Sequence, residues 1–312
     1  MSDKPSSKPA GVYAAVLTPL TRKLDVNSEP LIAHCRWLLQ NGCDGLAPLG
    51  TTGEANSLSV RQRLTIIETL ATSGLPTNRM IAGAGSCALA DAVEVASAVA
   101  AAGCAGALML PPFYYKKPTE DGLFAFFAEV IERVGDPRLR IYLYHFPQLS
   151  TVPITPTLIQ RLMTTYPRNV VGLKDSSGDW SNTANLIKEF PGFSVFSGSE
   201  EFLLANLKAG GAGCISAGAN VNAFLAQAVY QAYLSGAETN GPQQALTGAR
   251  LVLEGYPLQA GLKQVVSAIT GDPDWLNILP PNRPLSDTQA RELLSRLRAL
   301  PQMQPLLGRK AA

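Results

Sequence analysis

Residues 166–180 read Tyr-Pro-Arg-Asn-Val-Val-Gly-Leu-Lys-Asp-Ser-Ser-Gly-Asp-Trp, and the apolar run at 170–173 predicts a strand buried on both faces. Lys174 ends that run, and a short polar turn follows it. A lysine at the mouth of a buried strand loses hydration, which disfavours the ammonium form. A neutral amine can attack a carbonyl and form a Schiff base. The alternative is an ordinary strand-end lysine whose amine extends to solvent.

Predicted strands and helices alternate along the chain in eight units. The predicted strands are 12–17, 44–49, 79–84, 105–110, 140–144, 170–173, 193–196 and 213–216. The predicted helices between them are 28–41, 59–73, 89–101, 119–133, 155–164, 182–189 and 200–209, and an eighth begins near 220. This alternation predicts a closed (β/α)8 TIM barrel. An open doubly wound sheet is disfavoured, because no Gly-x-Gly-x-x-Gly turn follows the first strand.

Past about residue 235 the alternation stops and only helices are predicted, at 243–253, 258–269 and 286–300. Ser28 and Ser59 have the residue type of helix N-caps, and Ser286 with Gln289 forms a capping-box pattern. We therefore predict three regions. They are a flexible tail at 1–10, a barrel catalytic domain at 11–234 and a C-terminal helical extension at 235–312.

Composition excludes several classes of function. The 312 residues are 46% hydrophobic and 16% charged with a net charge of +2, and the scattered basic residues argue against nucleic-acid binding. Five cysteines without ligand spacing and two histidines predict no metal site. The absence of a long apolar run or an apolar leader predicts a cytoplasmic protein with no membrane partner.

In a barrel of this type, active sites lie at the carboxyl ends of the strands. Lys174 and Tyr144 end neighbouring predicted strands, and a phenol beside a nucleophilic amine can shuttle protons. Thr51 and Thr52 lie in a glycine-flanked turn after the second strand, which can bind a carboxylate through hydroxyl and N–H groups. Together these groups suit a 2-oxo acid bound through its carbonyl.

Each of these residues also has a structural interpretation. Tyr144 can fill the core, and residues 50–54 can form an ordinary tight turn. Tyr114 and Tyr115 can pack internally or at a subunit interface, and we favour the interface. His145 follows Tyr144 directly, so it should face the opposite side of its strand.

Three motifs occur in this order along the chain: Gly-Thr-Thr-Gly-Glu at 50–54, Tyr-x-x-Pro at 144–147 and Gly-Leu-Lys-Asp-Ser-Ser-Gly at 172–178. In these motifs and in the spacing between them, the chain resembles the dihydrodipicolinate synthase and N-acetylneuraminate lyase family of class I aldolases. The resemblance covers nearly the whole chain, from Gly11 through the C-terminal helices. It implies an enzyme that needs no metal and no cofactor and commonly forms a homotetramer built from two dimers.

The resemblance also implies a role for each matching residue. Lys174 would form the Schiff base with pyruvate or another 2-oxo acid, and Tyr144 would relay protons. Thr51 and Thr52 would hold the carboxylate and support Tyr144, and Tyr114 would reach into the proton relay of a neighbouring subunit. The predicted substrate-binding residues are Gly50, Thr51, Thr52, Gly198, Glu200 and Ser216; the predicted catalytic residues are Lys174, Tyr144, Thr52 and Tyr114.

Departures from the family pattern bear on the second substrate. Leu149 stands where the dihydrodipicolinate synthase branch usually has an arginine that grips a carboxylate. Residues 198–201, Gly-Ser-Glu-Glu, are similar to the stretch with which the N-acetylneuraminate lyase branch binds sugar hydroxyls. Ala217 replaces a serine of that branch, and His145 replaces an asparagine common to both branches.

These observations predict a lyase or aldolase that acts on a 2-keto-3-deoxy sugar acid or a related 2-oxo acid. The alternative within the family is 4-hydroxy-tetrahydrodipicolinate synthase, which joins pyruvate to aspartate semialdehyde. Outside the family, a catalytically silent barrel that senses a small acid remains open. So does a phosphate-binding barrel that uses Gly198 and Gly218.

Overall fold

The computed structural model describes residues 8–307, which form eight strands alternating with helices. The strands are β1 (Gly11–Ala14), β2 (Gly45–Leu46), β3 (Ile81–Gly83), β4 (Gly106–Met109), β5 (Ile141–His145), β6 (Val170–Asp175), β7 (Ser194–Ser197) and β8 (Gly213–Ser216). The helices of the first half are α1 (Ser28–Gln40), α2 (Val60–Thr72), α3 (Leu89–Ala101), α4 (Glu120–Val134), α5 (Pro147–Ser150) and α6 (Pro156–Thr165). Those of the second half are α7 (Trp180–Glu189), α8 (Leu203–Lys208), α9 (Ala219–Ser235), α10 (Asn240–Glu254), α11 (Leu258–Thr270), α12 (Asp287–Arg298) and α13 (Gln304–Leu307). Residues 1–7 of the predicted tail lie outside the described residues.

The strands pair in parallel and close into a barrel. Their order is β2-β1-β8-β7-β6-β5-β4-β3, and a parallel bridge between Leu46 and Met80 joins the two ends. The predicted (β/α)8 TIM barrel is therefore confirmed. The second strand is much shorter than the predicted 44–49. Pro48 has no N–H to donate and Leu49 adopts a φ of 61°, so the chain turns out of the sheet there.

Aromatic side chains fill the barrel interior. The ring of Phe196 lies 5.5 Å from that of Tyr13 and 6.0 Å from that of Tyr142, between centroids, in edge-to-face contacts. Glycine is required at position 172, since a Cβ there would lie 2.5 Å from the Tyr142 ring. The middle of the interior is thus a packed core, which separates the carboxyl ends of the strands from their amino ends.

Helix starts follow the predicted caps in part. Ser59 and Ser286 cap α2 and α12, and each forms a capping box with the glutamine three residues later. The prediction that Ser28 is an N-cap is wrong by one residue. Asn27 holds that position with extended backbone because its N–H bonds to the carbonyl of Pro19.

Two predicted helices near the strand ends also differ in detail. The predicted 200–209 helix begins as a 3-10 turn at Glu200–Phe202 before α8. The short α5 was not predicted; it starts at Pro147, a residue suited to a first helical turn. No helix within residues 8–307 has both the length and the apolar character needed to cross a membrane.

Candidate active site

Lys174 and Tyr144 occupy paired positions on adjacent strands. The register of β5 and β6 aligns them directly, and the alternation of side chains turns both into the barrel. The Lys174 Nζ lies 3.3 Å from the Tyr144 Oη and 4.5 Å from the centroid of its ring. Both residues are at most 5% exposed. An amine and a phenol therefore meet inside the protein, one strand residue short of the end of β6 at Asp175.

The two side chains lie at the wall of a cavity of about 710 Å³ at the carboxyl end of the barrel. Thr51, Thr52 and Gly198 line the same cavity. Its volume is within the range of small-molecule binding sites. The structure thus brings together five of the predicted site residues around one space.

The loop at 49–54 presents the two threonines. The Thr51 Oγ1 is 3.5 Å from the Tyr144 Oη, which links the loop to the lysine and tyrosine pair. Leu49 and Glu54 flank the loop with left-handed backbone, at φ values of 61° and 58°. Such backbone is costly for residues other than glycine and is concentrated at functional sites.

Helix α11 supports this loop from behind. The Gln259 Nε2 donates to the carbonyl of Thr51 at 3.2 Å, and the Lys263 Nζ lies 2.5 Å from the Glu54 Oε1. The other carboxylate oxygen of Glu54 accepts from the N–H of Leu279 at 2.7 Å. Burial lowers the pKa of Lys263, and the opposite charge of Glu54 partly offsets the shift. The loop that carries the threonines is thus held by an ion pair sealed from water.

Sequence reasoning missed this support, because Gln259 and Lys263 lie more than 200 positions from the loop. A helical pattern alone does not say which distant loop a helix will contact. The one available signal was a charged residue, Lys263, among the apolar positions of the predicted 258–269 helix.

Asp175 and His145, the residues that follow Lys174 and Tyr144, have structural partners. Asp175 accepts from the Thr183 Oγ1 at 2.7 Å and the Asn182 Nδ2 at 2.8 Å, which anchors the start of α7. The His145 Nδ1 accepts from the N–H of Ile154 at 3.0 Å. Burial lowers the pKa of His145, although the charge of Asp175 opposes the shift. His145 thus faces away from the cavity, as side-chain alternation predicts.

Glu200 and Ser216 lie behind the cavity wall and are fully buried. The Glu200 carboxylate accepts from the Ser216 hydroxyl, from the Asn222 Nδ2 at 2.9 Å and from an Arg250 Nη1 at 3.4 Å. Because these partners satisfy the carboxylate, the structure places Glu200 where it supports other side chains. Gly50 lies in the adjacent loop but outside the cavity lining.

Arg250 of α10 lines the cavity and was not predicted. Its Nε donates to the Glu254 Oε1 at 2.7 Å, and its side chain is 12% exposed. Burial alone would lower the pKa of Arg250, but the charges of Glu200 and Glu254 outweigh burial and raise it. The cavity lining therefore contains a guanidinium already flanked by two carboxylates.

Tyr114 and Tyr115 lie away from the cavity of their own chain. They are 72% and 76% exposed, and their rings pack edge to face with centroids 5.3 Å apart. An exposed aromatic pair on a loop marks a surface suited to contact with another protein.

Comparison with known proteins places this site in a family. Residues 8–298 match the model of the dihydrodipicolinate synthetase family. A protein of Chloroflexus aurantiacus named as an uncharacterized DapA-like lyase is 34% identical over 92% of this chain and 95% of its own.

Solved structures agree with this match. Dihydrodipicolinate synthase from Agrobacterium tumefaciens superposes with a TM-score of 0.85 at 31% identity, over 93% of this chain and 99% of that one. YagE, an Escherichia coli prophage protein of the same family solved in complex with pyruvate, has a TM-score of 0.86 at 25% identity, over 93% and 98% of the two chains.

The chain belongs to the dihydrodipicolinate synthetase family. It is accordingly an enzyme of the lyase and aldolase class, carried on a (β/α)8 barrel.

Proposed function

We propose that the protein is a class I aldolase or lyase that forms a Schiff base with a 2-oxo acid, in particular a 2-keto-3-deoxy sugar acid. The observation that carries the proposal is the 3.3 Å contact between the Lys174 Nζ and the Tyr144 Oη at the cavity wall. Among the described residues that line the cavity, Lys174 is the sole lysine. Lys263 is also buried, but its ion pair with Glu54 keeps its ammonium occupied.

The chemistry follows from these positions. The Lys174 amine adds to the C2 carbonyl, and loss of water leaves an imine that draws electrons from the neighbouring bonds. Tyr144 takes the proton of the C4 hydroxyl, and the C3–C4 bond breaks to release an aldehyde. The electron pair of that bond forms an enamine, which is protonated at C3. Water then hydrolyses the imine, releasing pyruvate and restoring the amine.

The threonine loop would bind the carboxylate of the 2-oxo acid. Thr51 and Thr52 face the cavity beside Lys174, and the buried ion pair behind them limits their movement. A fixed donor set lowers the barrier because little reorganisation is needed during the reaction.

Polar side chains in the cavity lining support a hydroxylated substrate. Ser199, Glu201 and Asn282 line the cavity and can bind hydroxyl groups. These groups provide partners for the hydroxyls of a sugar acid, and the apolar residues Phe146, Phe202 and Leu258 line the rest of the cavity.

A second candidate is 4-hydroxy-tetrahydrodipicolinate synthase, with the carboxylate-binding arginine relocated. Arg250 is the observation that favours it, because this guanidinium reaches the cavity, whereas Leu149 is 58% exposed and offers no charge. The carboxylates of Glu200 and Glu254 already flank Arg250, so a further carboxylate would meet net negative charge. Because this net charge disfavours a second carboxylate, we rank the synthase below the sugar-acid aldolase.

Two experiments test these proposals. Treatment with pyruvate and borohydride should add the mass of the reduced adduct to the peptide that contains Lys174, and leave the peptide with Lys263 unchanged as an internal control. A panel of 2-keto-3-deoxy acids should then yield pyruvate from at least one member. Consumption of pyruvate only with aspartate semialdehyde would instead establish the second candidate.

Tyr144→Phe removes the proposed proton relay but keeps the ring. We expect kcat to fall by about a hundredfold, while borohydride trapping of pyruvate persists, because the amine stays in place. Steady-state kinetics measure the effect. The matched control is Tyr142→Phe, which alters a phenol two residues earlier on the same face of β5. Equal losses in both variants would show that Tyr144 acts through packing.

We also propose a homotetramer assembled from dimers, in which Tyr114 reaches the proton relay of a neighbouring subunit. The exposed pair at 114 and 115 supports this arrangement. Tyr114→Phe should lower kcat by about tenfold or more while light scattering shows an unchanged tetramer. Tyr115→Phe is the matched control and should retain its rate. A monomer at assay concentration would contradict the proposal.

A further inference from the structure

A second cavity of about 480 Å³ lies in the outer layer of the molecule, between α1, α11 and the short turn at Pro273–Leu276. Within residues 8–307, its lining shares no residue with the catalytic cavity. The volume is sufficient for a small molecule. The proposed catalytic residues lie outside this space.

The walls are aromatic and aliphatic. The His34 ring stacks on Trp37 at 6.0 Å and 9° and meets Trp275 edge to face at 5.0 Å and 62°, between centroids. Val266 and Ile269 of α11 complete the apolar lining. Such walls suit a flat or branched apolar body, and indole faces also attract a cation.

His34 and Asn220 provide a polar floor. The Asn220 Nδ2 donates to the carbonyls of Ala15 and Ala217, both at 2.8 Å, so its Oδ1 is the acceptor for the His34 Nε2 at 2.9 Å. His34 is 6% exposed. Burial lowers the pKa of His34 to about 4, with the Asn220 bond opposing, so the ring is neutral near pH 7. Its Nδ1 then carries a lone pair and bonds to no group among the described residues.

The rim is acidic. Glu29 at the start of α1 and Asp272 beyond the end of α11 both line the cavity. No lysine or arginine occurs among the described residues of the lining. The rim therefore attracts a cation and repels a carboxylate.

We propose that this cavity binds a small primary amine with an apolar body. Its ammonium would lie near Glu29 and Asp272, and its body would pack against the aromatic wall formed by Trp37, His34 and Trp275. The His34 Nδ1 can accept from an N–H of the ligand. An amino acid fits poorly, because its carboxylate would enter an acidic site with no cationic partner.

The floor also connects this cavity to the catalytic one. The Asn220 Oδ1 accepts from the N–H of Leu17 at 3.1 Å, and its amide holds the carbonyl of Ala217, which lines the catalytic cavity. An occupant that shifts His34 thus acts on the ends of β1 and β8 together. We expect the amine to change the affinity for pyruvate, and this expectation rests on the proposed function.

Fluorescence tests the site directly. The chain has three tryptophans, so Trp180→Phe leaves Trp37 and Trp275 as the reporters. Titration with 2-phenylethylamine should change the tryptophan emission until the signal saturates. The protein should bind this amine about tenfold or more tightly than it binds 2-phenylethanol. Phenylalanine and 3-phenylpropionate should bind more weakly still. Absence of a saturable signal, or tighter binding of either carboxylate, would overturn the proposal.

Variants separate this site from binding elsewhere. Ala33 is an exposed residue of α1 in the lining, so Ala33→Leu should project a larger side chain into the cavity, block the apolar body and abolish the signal without disturbing the core. The double variant Glu29→Gln and Asp272→Asn should lower the affinity for the amine by about tenfold and leave the affinity for 2-phenylethanol unchanged. Glu94→Gln removes an exposed charge of α3 outside the site and serves as the control. Binding that survives Ala33→Leu would place the amine elsewhere.

The coupling is measured by calorimetry with pyruvate, in the presence and absence of 2-phenylethylamine. We expect a change in apparent affinity of about fivefold, and by reciprocity the same factor in the affinity for the amine. Binding of the amine with unchanged affinity for pyruvate would support the site and refute its coupling. Failure to bind pyruvate at all would count against the proposed function and leave the fluorescence result intact.

Discussion

Lys174→Ala should abolish release of pyruvate from a 2-keto-3-deoxy acid, with kcat/KM reduced by at least about 10⁴-fold. The methyl group cannot add to a carbonyl, so the covalent intermediate is lost entirely. The variant should also gain no mass after treatment with pyruvate and borohydride. A coupled pyruvate assay and mass spectrometry provide the two measurements.

The fold should survive this change. Removal of the four side-chain atoms beyond Cβ leaves a gap beside the cavity, but Tyr144 retains its contact with Thr51, and β6 keeps its backbone pairing with β5 and β7. Circular dichroism should therefore match the parent protein. Lys208→Ala, at an exposed position of α8, is the control and should retain full activity. Substantial turnover by Lys174→Ala would refute the Schiff-base mechanism.

Lys263→Met should lower the free energy of unfolding by about 3–5 kcal/mol. The side chains of Glu54 and Lys263 are at most 1% exposed. Removal of the cation therefore leaves a carboxylate buried without its positively charged partner. The Lys263 ammonium also donates to the carbonyl of Asn277 at 2.7 Å, a contact that methionine cannot make. Denaturant titration measures the loss.

The same variant should weaken substrate binding, because Glu54 closes the loop that carries Thr51 and Thr52. We expect KM for the 2-oxo acid to rise more than kcat falls. Glu54→Gln combined with Lys263→Met should recover part of the stability, since no unpaired charge remains buried. Lys208→Met is the surface control. A stability loss below about 1 kcal/mol would show that the pair is open to water.

Local pattern was sufficient for the barrel and for the placement of Lys174 beside Tyr144. The periodicity of apolar residues in helices and strands can be recognised over a few consecutive residues. The eight units could therefore be predicted, with errors confined to their ends. The same alternation turns Lys174 and Tyr144 inward and His145 outward. Once the strands are neighbours and parallel, their register brings the amine to the phenol.

The walls of the site could not be predicted in this way. Residues 198–201 indicated that Glu200 contacts substrate, whereas the structure surrounds it with Ser216, Asn222 and Arg250. Which carboxylate reaches a cavity depends on how the 3-10 turn before α8 is rotated. Backbone geometry of that kind is set by packing against α10, not by the residues of the turn alone.

From its amino acids alone, then, this chain specifies a barrel, a lysine and a tyrosine at the ends of neighbouring strands, and a threonine loop, because each depends on residues that are close together in the sequence. Folding in three dimensions adds the ion pair between Glu54 and Lys263, the guanidinium of Arg250 and the cavity beside His34. All three join side chains that lie far apart along the chain. Contacts of this kind leave no periodic trace in the sequence, since they arise only when the C-terminal helices pack against the barrel.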